Sequence, residues 1–254
     1  FQAPERNFAR LDDSLSDFRT YRFQQLEDRA TLPTGIGGLD ERIGGGLVTG
    51  GQSVLQHNHA DALDAVIATL CATALSEGYA VSVTAPPSLD RDVLAAALSE
   101  QSDSVSQALR DDRLFVLDMF DRWRSGRNVL DVREQGLQAA NETVNRRRGD
   151  APLLVVGNIH GELEVLGEQR MREIRYENGD TVLTERDVVL NVIDTQAVSD
   201  TFLAFYLGAA DQILRLEERE RRLTIEQRRA PTGETGRSWA VRASTEPPRV
   251  TLDE

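Results

Sequence analysis

The stretch Thr34-Gly-Ile-Gly-Gly-Leu-Asp-Glu-Arg-Ile-Gly-Gly-Gly-Leu-Val-Thr-Gly50 decides how the rest of the chain is read. Gly35, Gly37, Gly38, Gly44, Gly45, Gly46 and Gly50 crowd it, and Gly51 follows directly. So many residues free to adopt left-handed backbone angles mark a series of tight turns, not a helix or a long strand. Directly after it, Ser53-Val-Leu-Gln56 has the apolar content of a short strand. Ala62 to Glu77 then repeats apolar residues at helical spacing through Leu63, Val66, Ile67, Leu70 and Leu75, with Gly78 at the C-terminal stop.

The same alternation continues outward. Strands are predicted at Ala80–Thr84, Leu114–Leu117, Pro152–Val156, Val188–Ile193 and Gln212–Leu216, and helices at Asp90–Glu100, Val129–Arg147 and Ser199–Ala209. Arg222–Gln227 and Ser238–Ala243 read as a closing hairpin. Strands alternating with helices predict an α/β fold with a mostly parallel sheet covered on both faces. Residues 1–30 carry Leu11, Leu15, Phe18, Phe23 and Leu26, which suits an amphipathic helical extension too short to fold alone. It would dock on the main domain or on a partner. Residues 31–254 form the domain itself, ending in a short polar tail. The run Arg146-Arg147-Arg148 reads as a solvated helix end, and the alternating charges from Arg219 to Arg222 as a salt-bridged surface.

Charge narrows the function classes. The 254 residues hold 42 Asp+Glu against 29 Lys+Arg, for a net charge of −13, and all of those cations are arginine. Excess carboxylate without lysine fits the acidic proteome of a salt-loving archaeon, where salt screens the self-repulsion; GC-rich coding would also favour arginine. Either way, no step of the chemistry can use a lysine. The net charge argues against nucleic acid as a partner. A single cysteine, Cys71, excludes an internal disulfide and multi-cysteine zinc motifs. No apolar run reaches membrane-helix length, and a signal-peptide pattern is lacking, so a cytoplasmic protein without membrane insertion is expected.

Residues 34–50 resemble the entry to RecA-superfamily ATPases of the KaiC type, whose pattern is T-G-[IV]-x-x-L-D-x-x-L-G-G-G-[IL]-x-x-G. Ala209-Ala-Asp-Gln-Ile-Leu-Arg-Leu-Glu-Glu218 and Arg222-Leu-Thr-Ile-Glu-Gln-Arg-Arg229 resemble the late strand and closing hairpin of that family. The resemblance implies a RecA-like fold over residues 31 to 243, and its degenerate form suits haloarchaeal KaiC-like proteins.

It does not imply activity. A working P-loop needs G-x-x-x-x-G-K-[ST], so that backbone N–H groups wrap the phosphates, lysine bridges them and a hydroxyl holds magnesium. The corresponding stretch is Gln56-His-Asn-His-Ala-Asp-Ala-Leu-Asp-Ala65, without glycine, lysine, serine or threonine. Asp61 or Asp64 instead sets a carboxylate where phosphates would lie. The family's catalytic glutamate pair is replaced by Ala85-Pro-Pro-Ser88, its magnesium-associated aspartate by Gly157-Asn158, and its Lys-x-Arg pair by Gln227-Arg-Arg229. Gln196 remains where some relatives sense the γ-phosphate.

The expectation is therefore a catalytically inactive pseudo-ATPase subunit without a cofactor. It would act as a regulatory or structural module on other protein subunits, in a homo- or hetero-oligomer. The vestigial nucleotide site comprises Gln56, His57, Asn58, His59, Ala60, Asp61, Gly157, Asn158 and Gln196. Residual ATP binding at the helix N-terminus near Ala60–Leu63 is the alternative, and nucleic-acid binding a weaker one. His57, His59 and His160 should gather at the carboxyl edge of the sheet if one strand lies between their parent strands. They are either histidines left in a disused cleft or, with Asp61 or Asp194, ligands for zinc.

Overall fold

A computed structural model describes residues 29–58, 62–100, 104–124, 126–181, 184–244 and 249–253. The expected helix within residues 1–30 lies almost wholly outside them, as do His59, Ala60 and Asp61. In chain order the elements are β1 (Thr31–Leu32), α1 (Leu39–Arg42), β2 (Leu47–Val48), β3 (Gln52–His57), α2 (Leu63–Ser76), β4 (Ala80–Thr84), α3 (Arg91–Glu100), α4 (Val105–Arg110) and β5 (Leu114–Asp118). There follow β6 (Val129–Asp131), α5 (Val132–Gln135), α6 (Leu137–Arg147), β7 (Leu153–Asn158), α7 (Ile159–Leu166), α8 (Glu168–Thr181), β8 (Val188–Asp194) and α9 (Asp200–Gly208). The chain closes with β9 (Gln212–Arg219), β10 (Arg222–Arg229), β11 (Arg237–Ala243) and β12 (Val250–Leu252).

The main sheet has ten strands in the order β12-β11-β10-β9-β3-β8-β7-β4-β5-β6. From β9 to β6 every pairing is parallel, and β9 through β12 are antiparallel. Side chains alternate between its faces. Leu55, Val83, Leu154, Val156, Leu190 and Val192 belong to the core shared with α2, α3 and α4. On the opposite face Phe115, Leu117 and Leu153 pack with Leu137, Ala140 and Val144 of α6, and Val54, Ile193 and Ile213 with Ile159, Met171 and Phe202. The expected mostly parallel sheet and closing hairpin are both present.

The glycine-rich stretch turns out to be architectural. Asp40 Oδ1 accepts from Thr34 N at 2.8 Å and from Thr34 Oγ1 at 2.7 Å, clamping the two ends of the first turn together. Gly46 has φ +130°, and a Cβ there would collide with the Leu32 backbone. The Gly46 carbonyl accepts from Gln212 at 3.1 Å, and Gln212 also meets Ser53 and Gln227, so the segment is tied to three strands of the sheet. Helix α2 ends as its sequence requires. Gly78 takes φ +83°, and the N–H groups of Tyr79 and Gly78 close on the carbonyls of Ala74 and Leu75 at 2.9 and 3.3 Å.

Three expectations need correction. Val129–Arg147 is not one helix: Val129–Asp131 pairs in parallel with β5, Asp131 then caps α5, and Gly136 at φ +82° separates α5 from α6. The arginine run is not wholly solvated, because Arg148 forms a buried ion pair with Asp187, with side chains 8% and 0% exposed. The polar tail contains an edge strand, since Val250–Leu252 pairs with Val241–Ala243 and buries Val250. Alongside these, the short pair β1–β2 and helices α1, α4, α7 and α8 had no counterpart in the sequence reading.

Candidate functional site

Strand β8 separates β3 from β7, so His57 and His160 leave neighbouring parts of one sheet edge. Both line a cleft of about 320 Å³ at the carboxyl ends of β3, β8, β7 and β4. Its apolar wall is built by Leu63 and Ile67 of α2, Pro86, Pro87, Val156 and Val192. Its polar side chains include His57, Asp64, Thr84, Ser88, Asn158, His160 and Asp194.

The first turn of α2 faces this space. Among the described residues no side chain caps the helix at Ala62, and N–H groups at a helix start favour a nearby negative charge. Asp64 supplies one from within the chain. Its Oδ1 accepts from the Ser88 hydroxyl at 2.9 Å. Burial pushes the Asp64 carboxyl above its ordinary range; the Ser88 hydrogen bond opposes this and the charge of Asp90 reinforces it. Asp194 is buried and accepts from the Gln196 N–H at 2.8 Å. His160 Nε2 lies 3.4 Å from Glu164 Oε1, while its buried Nδ1 has no hydrogen-bond partner among the described residues.

Of the residues read as a vestigial nucleotide site, His57, Gly157 and Asn158 line the cleft. Asn58 is engaged elsewhere, bonding the Glu218 backbone through both amide atoms at 3.0 and 2.9 Å. Gln56 is buried and Gln196 exposed, and neither lines the cleft. His59, Ala60 and Asp61 are outside the described residues. Among the described residues no three His, Cys, Asp or Glu side chains are grouped to hold a metal ion.

The late hairpin is committed inward. Gln227 is fully buried and donates to the Thr232 and Glu234 carbonyls at 3.3 and 3.0 Å. Arg229 Nη1 donates to the carbonyls of Leu207 and Ala210 at 2.7 and 3.0 Å, satisfying the C-terminal end of α9. Arg229 is thus a helix cap.

The sequence matches no protein-family model and no curated protein. Among solved structures, the KaiC-like protein of the hyperthermophilic archaeon Pyrococcus horikoshii superposes with a TM-score of 0.65 at 14% identity, covering 89% of this chain and 100% of that one. The fold is RecA-like.

One residue of this RecA-like edge escaped sequence reading. Glu162 of α7 is 6% exposed. Burial drives its carboxyl up to about 7, against the opposing hydrogen bonds from the Thr84 side chain and the Asn158 backbone. A signal was available. In Ile159-His-Gly-Glu-Leu-Glu-Val-Leu166, Glu162 stands three residues after Ile159 and four before Leu166, within the apolar stripe of the helix. Among the described residues no helix is long and apolar enough to cross a membrane.

Proposed function

We propose that this chain is a pseudo-ATPase, a RecA-like domain that keeps the ATPase scaffold without the phosphate chemistry and works as a regulatory or structural module on other protein subunits. The observation that carries this reading is Asp64. A carboxylate on the first turn of α2, held by Ser88, occupies the end of the cleft where a helix N-terminus would otherwise attract phosphate. Two like charges about 4 Å apart repel by about 1 kcal/mol in water and several-fold more where water is excluded. The chain has no lysine to offset that repulsion. Its one arginine at the family's hairpin position is spent on the end of α9.

With the nucleotide chemistry gone, the surfaces of the domain remain for function. The net charge of −13 favours a partner bearing a basic face and disfavours nucleic acid. The acidic, lysine-free composition supports a halophilic setting, so tests belong in molar potassium chloride. The deciding experiment combines magnesium-ATP turnover, calorimetric ATP titration and sedimentation. The expected result is turnover at the buffer blank, no saturable heat, and a defined oligomer or complex. Saturable turnover that persists through purification overturns the reading.

A further inference from the structure

Behind the cleft, on the opposite face of the sheet, lies a second cavity of about 100 Å³ between the strands and α6, α7, α8 and α9. Its walls are largely apolar, with Leu137, Val144, Ile159 and Met171 among them. Its polar groups are anomalous. Gln52, Ser82, Asn145 and Asn191 all line it, and in each one buried polar atom (Oε1, Oγ, Oδ1 and Nδ2 respectively) has no hydrogen-bond partner among the described residues. Ser82 is 2% exposed and Asn191 8%. Buried polar atoms are paired in the great majority of cases, because leaving one unmade costs its full desolvation. Four such atoms on one cavity point to an occupant.

We propose that this chamber is an internal hydration site, holding a file of ordered waters that satisfies Gln52, Ser82, Asn145 and Asn191 and ends against the Glu162 carboxyl.

The chemistry of the four groups selects the guest. Two are acceptors, one is a donor and the Ser82 hydroxyl is both, so the occupant must donate and accept. Their placement selects several small guests over one larger one. Gln52, Asn191 and Ser82 stand on β3, β8 and β4, and β3 and β4 are three strand spacings apart in the sheet. At about 4.8 Å per spacing the strands that carry the floor groups spread over about 14 Å, an arrangement that several small guests serve better than one. A buried water needs about 10–15 Å³ of such space, so the chamber has room for several.

Glu162 also borders the chamber. Its buried carboxyl is served inside the protein by the Thr84 side chain and the Asn158 N–H, and water at its remaining lone pairs would hydrate the charged form. Gly157 and Thr84 wall both this chamber and the cleft. A Cβ at Gly157 would stand 3.3 Å from Glu162 Oε1 and 3.4 Å from Asn191 Oδ1. The two spaces therefore share a thin partition.

The test uses the full chain. A crystal structure that resolves ordered water is expected to place waters within hydrogen-bond reach of Ser82 Oγ and Asn191 Nδ2. Ser82→Ala and Asn191→Leu give a second, opposite-signed readout. If the waters are present, each variant strands one and lowers the melting midpoint by about 2–4 °C. If the chamber is dry, removing an orphaned polar group is a relief and the midpoint rises, which overturns the proposal. Mass spectrometry of the denatured protein separates the sources: a stoichiometric organic molecule released on unfolding would also overturn it.

Discussion

Arg148 and Asp187 meet in a two-pronged buried ion pair, Nη1 to Oδ1 at 2.6 Å and Nη2 to Oδ2 at 3.0 Å, that fastens the end of α6 to the approach of β8. Asp187 also accepts from the backbone of Leu153 and Thr184, both at 2.7 Å, so its two oxygens hold four donors. Burial alone would raise this carboxyl. The Arg148 hydrogen bonds and charge and the two backbone N–H groups outweigh burial and hold it below its ordinary value. Arg148→Ala leaves a buried charge without its counter-ion, and such a loss typically costs about 3–5 kcal/mol. Urea titration should show it as a lower midpoint with an unchanged slope. Because the carboxyl is depressed, the parent's advantage is present above about pH 4 and is lost as pH falls further.

That pair also marks where sequence reading stopped. The Arg146-Arg147-Arg148 run looks like any charged helix end, because the partner that buries Arg148 lies far along the chain at Asp187. The strands that were legible are those with dense apolar runs, such as Leu153-Leu-Val-Val156, which the parallel sheet buries on both faces. The edge strands β6 and β12 have three residues each, too few for a period to show, and they exist through ladder bonds to β5 and β11. At the site, the loss of lysine and glycine was legible as composition. Asn58 pairing with Glu218, and Arg229 turning onto α9, depend on tertiary geometry that no local pattern records.

Glu162 makes stability respond to pH in the opposite sense. Its folded carboxyl titrates near 7 against 4.5 unperturbed, so between those values the native state binds more protons than the unfolded chain. Stability then falls as pH rises from about 4.5 to 7, by up to about 3 kcal/mol at 1.4 kcal/mol per unit. Glu162→Gln removes this titration. Melting curves from pH 5 to 8 should show the variant gaining on the parent as pH increases. A constant difference across the range would place the titration elsewhere.

Asp64 carries a smaller effect of the same sign, because its carboxyl is also raised. Asp64→Asn should gain on the parent as pH rises above about 4, the ordinary range of an aspartate. The same variant removes the negative charge from the first turn of α2. Isothermal titration in molar salt should therefore detect weak phosphate or ATP binding in Asp64→Asn that is absent from the parent. Equal heats from both proteins would show that Asp64 does not exclude the anion.

The last prediction separates the two roles open to Arg229. As a helix cap, its guanidinium serves the Leu207 and Ala210 carbonyls, and hydrogen bonds from a charged donor contribute about 1.5–3 kcal/mol. Arg229→Ala should then lower the stability of the isolated chain by about that amount and leave its sedimentation behaviour unchanged. Arg229→Lys keeps the charge but replaces a planar fork with a point charge, so it should recover only part of the loss. A cation aimed at a neighbouring subunit would behave the other way, with self-association weakened and the stability of the separate chain preserved. Arg228, next to it, provides the control. It is exposed and lies 3.6 Å from Glu226, so Arg228→Ala should change stability by less than about 1 kcal/mol. Association that depends on Arg228 and not on Arg229 would move the contact surface to the outer side of β10 while leaving the internal cap intact.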